Sequence, residues 1–470
     1  MSSNSKLKTS AFTASHSAAP ARRLQNSKLA KLVPLLLDWF SVNARDLPWR
    51  RTRDPYAIWV SEIMLQQTQV KTVIPYWERW LRELPTVEAV AKAGPDKIHK
   101  LWEGLGYYNR ARNLQQAARQ IVARRNANSK TRRRRGNESQ TKTKSETPHV
   151  VSYKFPQNFD DVLALPGIGR YTAGAICSIA FNQPTPILDG NVIRVLTRIF
   201  GIAENPKEKE TNSLLWQIAE KLVCRAKTAK DAKEKKSSRP SREMNACSFL
   251  NQSLMELGAL VCTPRNPQCA VCPVKKLCVA FRKNRMNELP NLGKRGAATA
   301  RHFVAFVAER NGRFLVRQRP ADVVNAHLWE FPNVEIDPSR SSSPAKRDKS
   351  AHYSGKHSQS RLTSAATVQK FKPEIALAAE QLGFGASEIK PLCTIKHSIT
   401  RYRITLEAFR VEFGGLSSTN SHSKPANSGT RVIRPSEIGV WKTPAQLQQL
   451  AFSSAHKRVL NQLIGRKVML

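Results

Sequence analysis

Residues 161–201 read DVLALPGIGRYTAGAICSIAFNQPTPILDGNVIRVLTRIFG, and this stretch decides the fold of the first half of the chain. Its apolar spacing predicts one helix that ends at Ala164 and a second helix over Arg170–Phe181. Two prolines then interrupt the pattern, and a third helix begins at Asp189. The stretch therefore predicts two helices joined by a tight hairpin, followed by a loop and a third helix.

Only five residues, Leu165–Gly169, join the two predicted helices, and this length allows only a tight hairpin. Gly167 and Gly169 can both adopt the positive φ angles that such a turn needs. The free N–H groups of the turn lie at a helix N-terminus, which suits a phosphate group. A Gly-x-Gly turn is common, so the hairpin alone is weak support for nucleic-acid binding.

Asp189 opens the third helix and precedes Gly190 and Asn191. An Asp in this position is often an N-cap that accepts N–H bonds from the first turn. The same donors and the helix dipole also favour an ionised carboxylate, which would suit a catalytic anion. Position alone leaves both interpretations open.

A second acidic residue, Glu62, lies in the predicted helix WVSEIMLQQTQV, with Trp59 and Leu65 three residues to either side. An acid beside an apolar face loses hydration, which keeps a proton available near neutral pH. The alternative is an exposed helical Glu, which is the common case for an isolated acid.

LPGIGRYTAGAI followed by LDGNVIRVL resembles the helix-hairpin-helix/Gly-Pro-Asp superfamily of DNA glycosylases, and SEIMLQQTQV is similar to the catalytic helix of its MutY-type adenine DNA glycosylases. The resemblance covers most of Leu29–Phe281 and, more loosely, Arg301–Leu470. It implies an all-α helix-hairpin-helix core with an iron–sulfur loop, and a C-terminal α+β Nudix-like domain. HFVAFVAE and YRITLEAFRVEF, both after residue 300, have the alternation expected of strands.

The resemblance also implies roles in catalysis. Glu62 would be the general acid, Asp189 would stabilise an oxocarbenium-like sugar, and Tyr171 and Asn191 would position them. Tyr171 stands where bifunctional relatives of the endonuclease III type carry a lysine that forms a Schiff base. We therefore expect a monofunctional hydrolase.

Further residues are implied to contact the DNA, since the target base must leave the stack before it can be cut. The expected DNA contacts are Gln67, Thr68, Leu105, Tyr107, Gly167 and Gly169. The expected lining of the adenine pocket is Leu47, Trp49, Arg50 and Gln252. For Trp49, ordinary core packing remains an open alternative.

Four of the eight cysteines form the run Cys262-x6-Cys269-x2-Cys272-x5-Cys278. Thiolates this close together favour a metal site, and zinc competes with iron, although zinc ribbons usually pair two CxxC motifs over a longer gap. The resemblance implies one [4Fe–4S] cluster with a structural role. The other four cysteines are expected to lie buried in cores, and a reducing compartment is expected to keep them reduced. They are Cys177, Cys224, Cys247 and Cys393.

The C-terminal half resembles the Nudix-like module that recognises 8-oxoguanine, without the glutamate-rich box of a Nudix hydrolase. Where family members carry Phe-Ser-His, this chain has Ile399-Thr400-Arg401. Thr400 keeps the hydroxyl group, whereas Arg401 replaces the histidine. These two residues are the expected contacts to 8-oxoguanine.

The composition fits a protein that binds a polyanion, because the formal net charge of the 470 residues is +42. Basic low-complexity tails account for part of that charge. No run of about 18 apolar residues occurs, so no membrane segment is expected. We expect a monomer in a reducing intracellular compartment: the cytoplasm or nucleoid of a bacterium, or the nucleus or mitochondrion of a eukaryote.

The resemblance implies the two domains, and composition predicts the disordered segments, since polar and charged segments nearly free of aliphatic residues cannot bury enough to stay ordered. The expected organisation is a disordered basic arm over 1–27, a helical catalytic domain over 28–282 with disordered insertions at about 125–149 and 226–243, a linker over 283–300, and a Nudix-like domain over 301–470 with disordered loops at about 341–364 and 417–430.

The expected activity is hydrolysis of the N-glycosidic bond of adenine paired with 8-oxoguanine or guanine in double-stranded DNA. One alternative is an endonuclease III-like pyrimidine glycosylase and lyase, against which Tyr171 argues. Another is a noncatalytic iron–sulfur DNA-binding protein, against which Glu62 and Asp189 argue.

Overall fold

The computed structural model describes residues 18–134, 155–233, 245–293, 296–336, 372–382, 384, 388–399, 401–412 and 438–467. Outside them lie Thr400, most of the expected arm, the parts 135–149 and 234–243 of the expected insertions, and the expected loops 341–364 and 417–430. The chain divides into two compact units, Met1–Ala91 with Gln116–Lys294 and Lys92–Gln115 with Arg295–Leu470.

The described residues before position 283 contain α-helices and short 3-10 turns and no β-strand, as predicted. The α-helices are α1 Ala18–Asn43, α2 Pro55–Leu65, α3 Val70–Glu83, α4 Val87–Lys92, α5 Pro95–Trp102, α6 Asn109–Arg134, α7 Phe159–Leu163, α8 Arg170–Phe181, α9 Gly190–Phe200, α10 Lys209–Lys233, α11 Ala246–Leu260 and α12 Val279–Arg282.

A large core cluster of the first unit joins apolar residues of α1, α8, α9, α10 and α11. Leu29, Leu32 and Leu36 of α1 are buried in it, as their helical spacing predicts. Leu250 and Leu254 of α11 join the same cluster. Truncation of one such leucine to alanine costs about 2–5 kcal/mol, so this packing fixes the framework that carries the site.

Helices α6 and α10 continue to Arg134 and Lys233, past the expected starts of the two insertions at about 125 and 226. Helix α1 likewise begins at Ala18, inside the expected arm. These segments are rich in Ala, Lys, Arg and Gln, which have high helix propensity and extend a helix that packing has already nucleated. These parts of the segments that composition predicted to be disordered are thus helical.

The second unit contains a mixed sheet with strand order β3-β2-β1-β6-β5, in which β4 also pairs with β1 and β7 with β2. Its described elements are β1 Thr299–Arg310, β2 Arg313–Gln318, β3 Trp329–Glu330, β4 Asn333–Ile336, α13 Lys372–Gln381, β5 Ile389–Ile399, β6 Tyr402–Glu412, β7 Val440–Lys442, α14 Pro444–Gln449 and α15 Ser454–Lys467.

Helices cover both faces of this sheet. On one face, Ala305 and Val307 of β1 share a cluster with Val459 and Leu460 of α15. On the other face, Phe306 of β1 packs in a cluster with residues of α13. The alternation along β1 follows from the two-residue period of a strand. The second unit is therefore the α+β domain that the sequence predicts.

Segment Lys92–Gln115 groups with this second unit, whereas the sequence placed it inside the helical domain over 28–282. Lys100 Nζ donates to Leu450 O at 3.1 Å, and Arg112 Nη1 donates to Ala326 O at 2.8 Å. Because these bonds join residues more than 200 positions apart in the chain, a reading of local sequence patterns does not find them.

Among the described residues, no helix combines the length and the hydropathy needed to cross a membrane.

Candidate active site and cysteine loop

The predicted hairpin lies between α7 and α8, and Ile168 N donates to Leu165 O at 3.1 Å within it. Gly167 adopts a φ of 76°, as the tight turn requires. Gly169 does not need a positive φ, because it is the extended N-cap of α8 with a φ of −95°. Of the two glycines that can take a positive φ, the turn uses Gly167, because the helix start sets the conformation at Gly169.

Helix α8 approaches the loop before Asp189 closely. A Cβ atom added at Gly174 would lie 2.2 Å from Pro186 O, so only glycine fits at this crossing. Thr185 Oγ1 also donates to Gly174 O at 3.0 Å. The hairpin helix thus fixes the loop that delivers Asp189, and the sequence reading did not identify this role of Gly174.

Asp189 is the N-cap of α9, and its Oδ1 accepts from Val192 N at 2.7 Å. Its Oδ2 accepts from Asn191 Nδ2 at 2.9 Å. Asp189 and Asn191 also border a cavity of this unit. Asp189 is therefore the N-cap of α9 and also a candidate anion at the cavity. The structural and the catalytic interpretation of this residue are compatible.

Glu62 lies in α2 and is only 5% exposed. This excludes the alternative that it is an ordinary solvent-exposed helical glutamate. Tyr171 donates its hydroxyl hydrogen to Glu62 Oε2 at 2.9 Å. Burial raises the pKa of Glu62 to about 7, the negative charge of Asp189 also raises it, and the Tyr171 hydrogen bond and Arg50 oppose the rise. The carboxyl group can therefore hold or release a proton near neutral pH.

Tyr171 remains a neutral phenol, because burial and the nearby carboxylates of Glu62 and Asp189 raise its pKa well above the usual value. Its hydroxyl oxygen also lies 3.2 Å from Met255 Sδ of α11. The side chain thus connects the hairpin helix with α2 and α11, as a positioning residue would.

A cavity of about 570 Å³ brings the predicted catalytic and base-pocket residues together. Its lining includes Leu47, Trp49, Arg50, Glu62, Gln67, Thr68, Tyr171, Asp189, Asn191 and Gln252. Trp49 also packs edge-on against Trp77, with ring centroids 6.0 Å apart. Core packing and pocket lining are therefore both roles of this tryptophan.

Glu256 in α11 borders the same cavity and was missed by the sequence reading. Arg45 Nε and Nη2 donate to its two oxygens at 2.8 and 2.7 Å, and Arg50 Nη2 donates to Oε2 at 3.0 Å. Burial opposes ionisation, but the two guanidinium groups outweigh it and lower the pKa of Glu256 to about 2. Its spacing of one helical turn from Gln252 was the available signal.

A chain of side chains links Asp189 with the cysteine loop, and the sequence reading missed this too. Asn191 Oδ1 accepts from Arg194 Nη2 at 2.8 Å, and Arg194 Nε donates to Cys262 O at 2.7 Å. Helix α11 approaches closely here, because a Cβ atom at Gly258 would lie 2.7 Å from Asn191 Cβ.

Cys262, Cys269, Cys272 and Cys278 border one small cavity beside α9. Burial, together with the three neighbouring thiols, raises the pKa of Cys272 to about 12. A bound cationic group would favour the ionised form of this buried thiol. Arg198 Nη1 donates to Cys262 Sγ at 3.4 Å and to Thr263 O at 2.7 Å, which holds the first cysteine in place.

Within the described ranges, no three His, Cys, Asp or Glu side chains form a group that could hold a single metal ion. A zinc ion would need its sulfur ligands at about 2.3 Å from one centre. A [4Fe–4S] cluster is held by four cysteine thiolates, and the four cysteines that border the small cavity beside α9 provide that donor set.

The other cysteines differ in burial. Cys177 and Cys247 are buried and Cys393 is partly buried, whereas Cys224 is exposed on α10. The expectation that all of them lie in cores is therefore wrong for Cys224, whose apolar neighbours in sequence point to a different face of the helix.

The expected DNA contacts fall in both units. In the first unit, Gln67 adopts a positive φ of 56° directly after α2. In the second unit, Leu105 is buried, whereas Tyr107 has a positive φ of 48° and is 43% exposed. A positive φ is uncommon in residues with a Cβ atom and is concentrated at functional sites.

Arg401 lies in the turn between β5 and β6, next to Tyr402. Its Nη2 donates to Tyr402 Oη at 3.0 Å, and the guanidinium lies 5.2 Å from the ring centroid. Arg301 of β1 contacts the same ring at 5.3 Å. Two cations, one from the turn and one from β1, therefore lie around one aromatic ring.

Three family models match this chain. Residues 60–221 match the HhH-GPD superfamily base excision DNA repair proteins, residues 262–278 the iron–sulfur binding domain of endonuclease III, and residues 303–462 the NUDIX domain. The fold is thus a helix-hairpin-helix repair-protein core joined to a Nudix domain, and the protein carries a [4Fe–4S] cluster.

An adenine DNA glycosylase of Buchnera aphidicola subsp. Schizaphis graminum is 33% identical over 302 residues, which cover 64% of this chain and 74% of that protein. The chain belongs to the adenine DNA glycosylase family. The Arabidopsis thaliana adenine DNA glycosylase is 37% identical over 342 residues, but the match covers 64% of this chain and only 47% of that protein.

Among solved structures, a thermostable thymine-DNA glycosylase aligns with a TM-score of 0.42 and 28% identity. The alignment covers 55% of this chain and 98% of that chain.

Proposed function

We propose that this protein hydrolyses the N-glycosidic bond of adenine that is mispaired with 8-oxoguanine or guanine in double-stranded DNA. One observation carries the proposal: two carboxyl groups of different character, Glu62 and Asp189, border the same cavity. N-glycoside hydrolysis needs one carboxyl group as proton donor and one as anion.

Glu62 suits the role of general acid. Adenine is a poor leaving group unless a ring nitrogen is protonated as the bond breaks. A carboxyl group with a pKa of about 7 carries that proton in a large fraction of molecules at neutral pH, and a matched general acid contributes about 10²–10⁴-fold to the rate. After proton transfer, the carboxylate can activate the attacking water.

Asp189 suits the role of the stabilising anion. Its two oxygens accept from Val192 N and Asn191 Nδ2, so the carboxylate is held in one orientation. The sugar becomes cationic as adenine departs, and a fixed carboxylate facing the cavity lowers the energy of that cation.

Tyr171 supports a monofunctional reaction. Its phenol donates to Glu62 and supplies no amine for a Schiff base. We expect no borohydride-trapped covalent complex of the kind that a lyase gives. Efficient trapping that maps to a lysine bordering the cavity would contradict this part of the proposal.

The walls of the cavity suit a flipped purine. Arg50 and Gln252 offer hydrogen-bond donors, Leu47 and Trp49 offer apolar surface, and Glu256 holds Arg50 in place. Gln67, Thr68, Leu105 and Tyr107 would then contact the duplex from which the base leaves, together with the hairpin glycines Gly167 and Gly169. We propose that the protein acts on this duplex as a monomer.

We assign the cluster ligands to Cys262, Cys269, Cys272 and Cys278. The purified protein should contain about four irons per chain, and substitution of Cys269 by serine should lower that content. An iron content unchanged in all four single variants would exclude this ligand set.

The second unit is the proposed reader of the opposite base, through Thr400 and Arg401. Guanine and 8-oxoguanine differ at one edge, and each good contact to a base edge contributes about 1–3 kcal/mol. Replacement of either residue by alanine should therefore slow cutting opposite 8-oxoguanine more than cutting opposite guanine.

The deciding experiment measures base release from matched duplexes that contain adenine opposite 8-oxoguanine, adenine opposite guanine, or thymine glycol. We expect release from the first two and none from the third. Release from thymine glycol alone would replace the proposal with a pyrimidine glycosylase, and binding without any release would indicate a noncatalytic protein.

A further inference from the structure

The loop Gly104–Tyr107 of the second unit is held in an unusual backbone conformation. Gly104, Gly106 and Tyr107 have φ angles of 109°, 70° and 48°. Glycine tolerates such angles, but tyrosine rarely adopts them, so other contacts must impose the conformation on Tyr107. Its ring is left 43% exposed at the tip of the loop.

The flanking helices hold this loop through its carbonyl groups. Trp102 Nε1 donates to Gly106 O at 3.1 Å. Arg110 Nη2 donates to Leu105 O and to Gly106 O, both at 3.0 Å. The position of Tyr107 therefore depends on where the end of α5 and the start of α6 are held.

Residues on either side of the loop are fastened to one residue of the C-terminal region. Glu103 Oε1 accepts from Phe452 N at 3.0 Å, and Tyr108 Oη donates to Phe452 O at 3.4 Å. Glu103 Oε2 also pairs with Lys457 Nζ of α15 at 3.4 Å. Both backbone polar groups of Phe452 thus bind the segment that carries the loop.

Phe452 is itself joined to the sheet. Trp329 N of β3 donates to Ala451 O at 2.9 Å, and Ser453 N donates to Trp329 O at 3.3 Å. The Phe452 ring is fully buried and lies 5.7 Å from the ring of Phe331. A continuous set of bonds therefore runs from the sheet, through residues 451–453, to the loop.

We propose that Glu103 and Tyr108 are positioning residues through which the C-terminal sheet sets the place of Tyr107 against the DNA duplex. The ligand of the loop is the base step beside the target adenine, into which the tyrosine ring is inserted. This inference rests on the proposed adenine glycosylase function. It adds that the domain proposed to read the opposite base also fixes the residue that opens the stack.

The test measures base extrusion and release separately. A duplex with 2-aminopurine in place of the target adenine, opposite 8-oxoguanine, reports unstacking by its fluorescence. All fluorescence variants carry Glu62→Gln so that no base is released. Single-turnover adenine release is measured with Glu62 intact, and thermal melting reports the folded state of each variant.

Glu309→Ala is the matched control in the same unit. Glu309 pairs with Arg410 at 2.7 Å and its side chain is 15% exposed, against 13% for Glu103. We expect Glu103→Ala to lower extrusion about tenfold, because charge-assisted hydrogen bonds are lost, and Tyr108→Phe to lower it about two- to threefold. Glu309→Ala should leave extrusion unchanged.

A double-mutant cycle with Tyr107→Ala separates positioning from general stability. If Glu103 acts through Tyr107, Glu103→Ala should change extrusion by less than about twofold once the tyrosine ring is absent. A full tenfold effect without Tyr107, an equal loss in Glu309→Ala, or unchanged extrusion in Glu103→Ala would each overturn the inference. If Glu103→Ala does not fold, the Tyr108→Phe cycle decides in the same way.

Failure of the proposed function looks different. In that case the wild-type protein releases no adenine from any duplex. If it releases adenine while Glu103→Ala and Tyr108→Phe extrude the base as the wild type does, only the inference about positioning fails.

Discussion

Two walls of the same cavity carry buried glutamates with opposite acidity. Glu62 of α2 is 5% exposed and has its pKa raised to about 7, whereas Glu256 of α11 is 1% exposed and has its pKa lowered to about 2. Burial disfavours the charge of both. The difference is that Glu62 accepts one hydrogen bond from a neutral phenol, while Glu256 accepts several from Arg45 and Arg50.

This comparison shows that the partners of a buried acid can reverse the effect of burial on its protonation state. With a single phenol as hydrogen-bond donor, Glu62 can hold or release its proton near neutral pH, which suits acid catalysis. Two guanidinium groups fix the negative charge, which suits the orientation of Arg50 toward a ligand. The two walls are therefore prepared for chemistry and for binding respectively.

Glu62→Gln should have the largest effect on catalysis. The amide keeps the shape of the side chain but cannot donate the required proton, so single-turnover adenine release should fall by about 10²–10⁴-fold. Duplex affinity, measured by fluorescence anisotropy, should stay within about threefold of wild type, because the charge removed at neutral pH is partial. Release at the wild-type rate would remove Glu62 from its proposed role.

Glu256→Gln should have the largest effect on stability. Removing one charge of a buried ion pair leaves Arg45 and Arg50 uncompensated, at a cost of about 3–5 kcal/mol in the free energy of unfolding. Denaturant unfolding at pH 7 measures this. Asp46→Asn, which removes an exposed partner of Arg51, is the control and should change stability little.

The pH dependence of the two Gln variants should have opposite signs. Between about pH 4.5 and 7 the wild type loses stability, because the unfolded state ionises Glu62 at its usual pKa of 4.5 while the folded state, with a pKa of about 7, still holds the proton. Glu62→Gln avoids this and should gain up to roughly 3 kcal/mol at pH 8.5, with no gain below about pH 4.5.

For Glu256 the folded pKa is the lower one, at about 2. The stabilisation from its ionisation is fully present above pH 4.5 and declines as the pH falls toward 2, so the penalty of Glu256→Gln should shrink in acid. Thermal melting of both variants from pH 2.5 to 8.5 measures the contrast. Parallel curves for the two variants would contradict the assignment of opposite acidities.

The sequence predicted the elements of this site whose signals are local. Three features have such short signals: the hairpin, the start of α9 at Asp189 and the apolar neighbours of Glu62. Each of them is encoded within a few consecutive residues. Glu256 and Arg194 act through partners far away in the chain, so no local pattern reports them. Glu256 in particular shows ordinary helical spacing, and only the folded structure brings Arg45 and Arg50 to its oxygens.

The domain boundary illustrates the same limit. Helical periodicity over Ala111–Arg124 is consistent with α6, but it could not show that Lys92–Gln115 groups with the sheet unit. The contacts of Glu103 and Tyr108 with Phe452 join residues about 350 positions apart. Periodicity reports which face of a helix is buried and not which element buries it.

Tyr171→Phe should have the smallest effect of these changes and should refine the comparison between the two walls. The phenol donates the hydrogen bond that partly offsets the effect of burial on Glu62, so its loss should raise the pKa of Glu62 further and shift the alkaline limb of the release rate to higher pH. At pH 6, where Glu62 is already protonated, release should fall by no more than about tenfold, because one hydrogen bond that orients the acid is lost. Single-turnover release from pH 5 to 9 measures both effects, and Met255→Leu, which alters the other neighbour of the Tyr171 hydroxyl, is the control that should leave the alkaline limb in place. A downward shift of that limb, or a loss as large as that of Glu62→Gln, would show that Tyr171 takes part in the chemistry itself and does more than position Glu62.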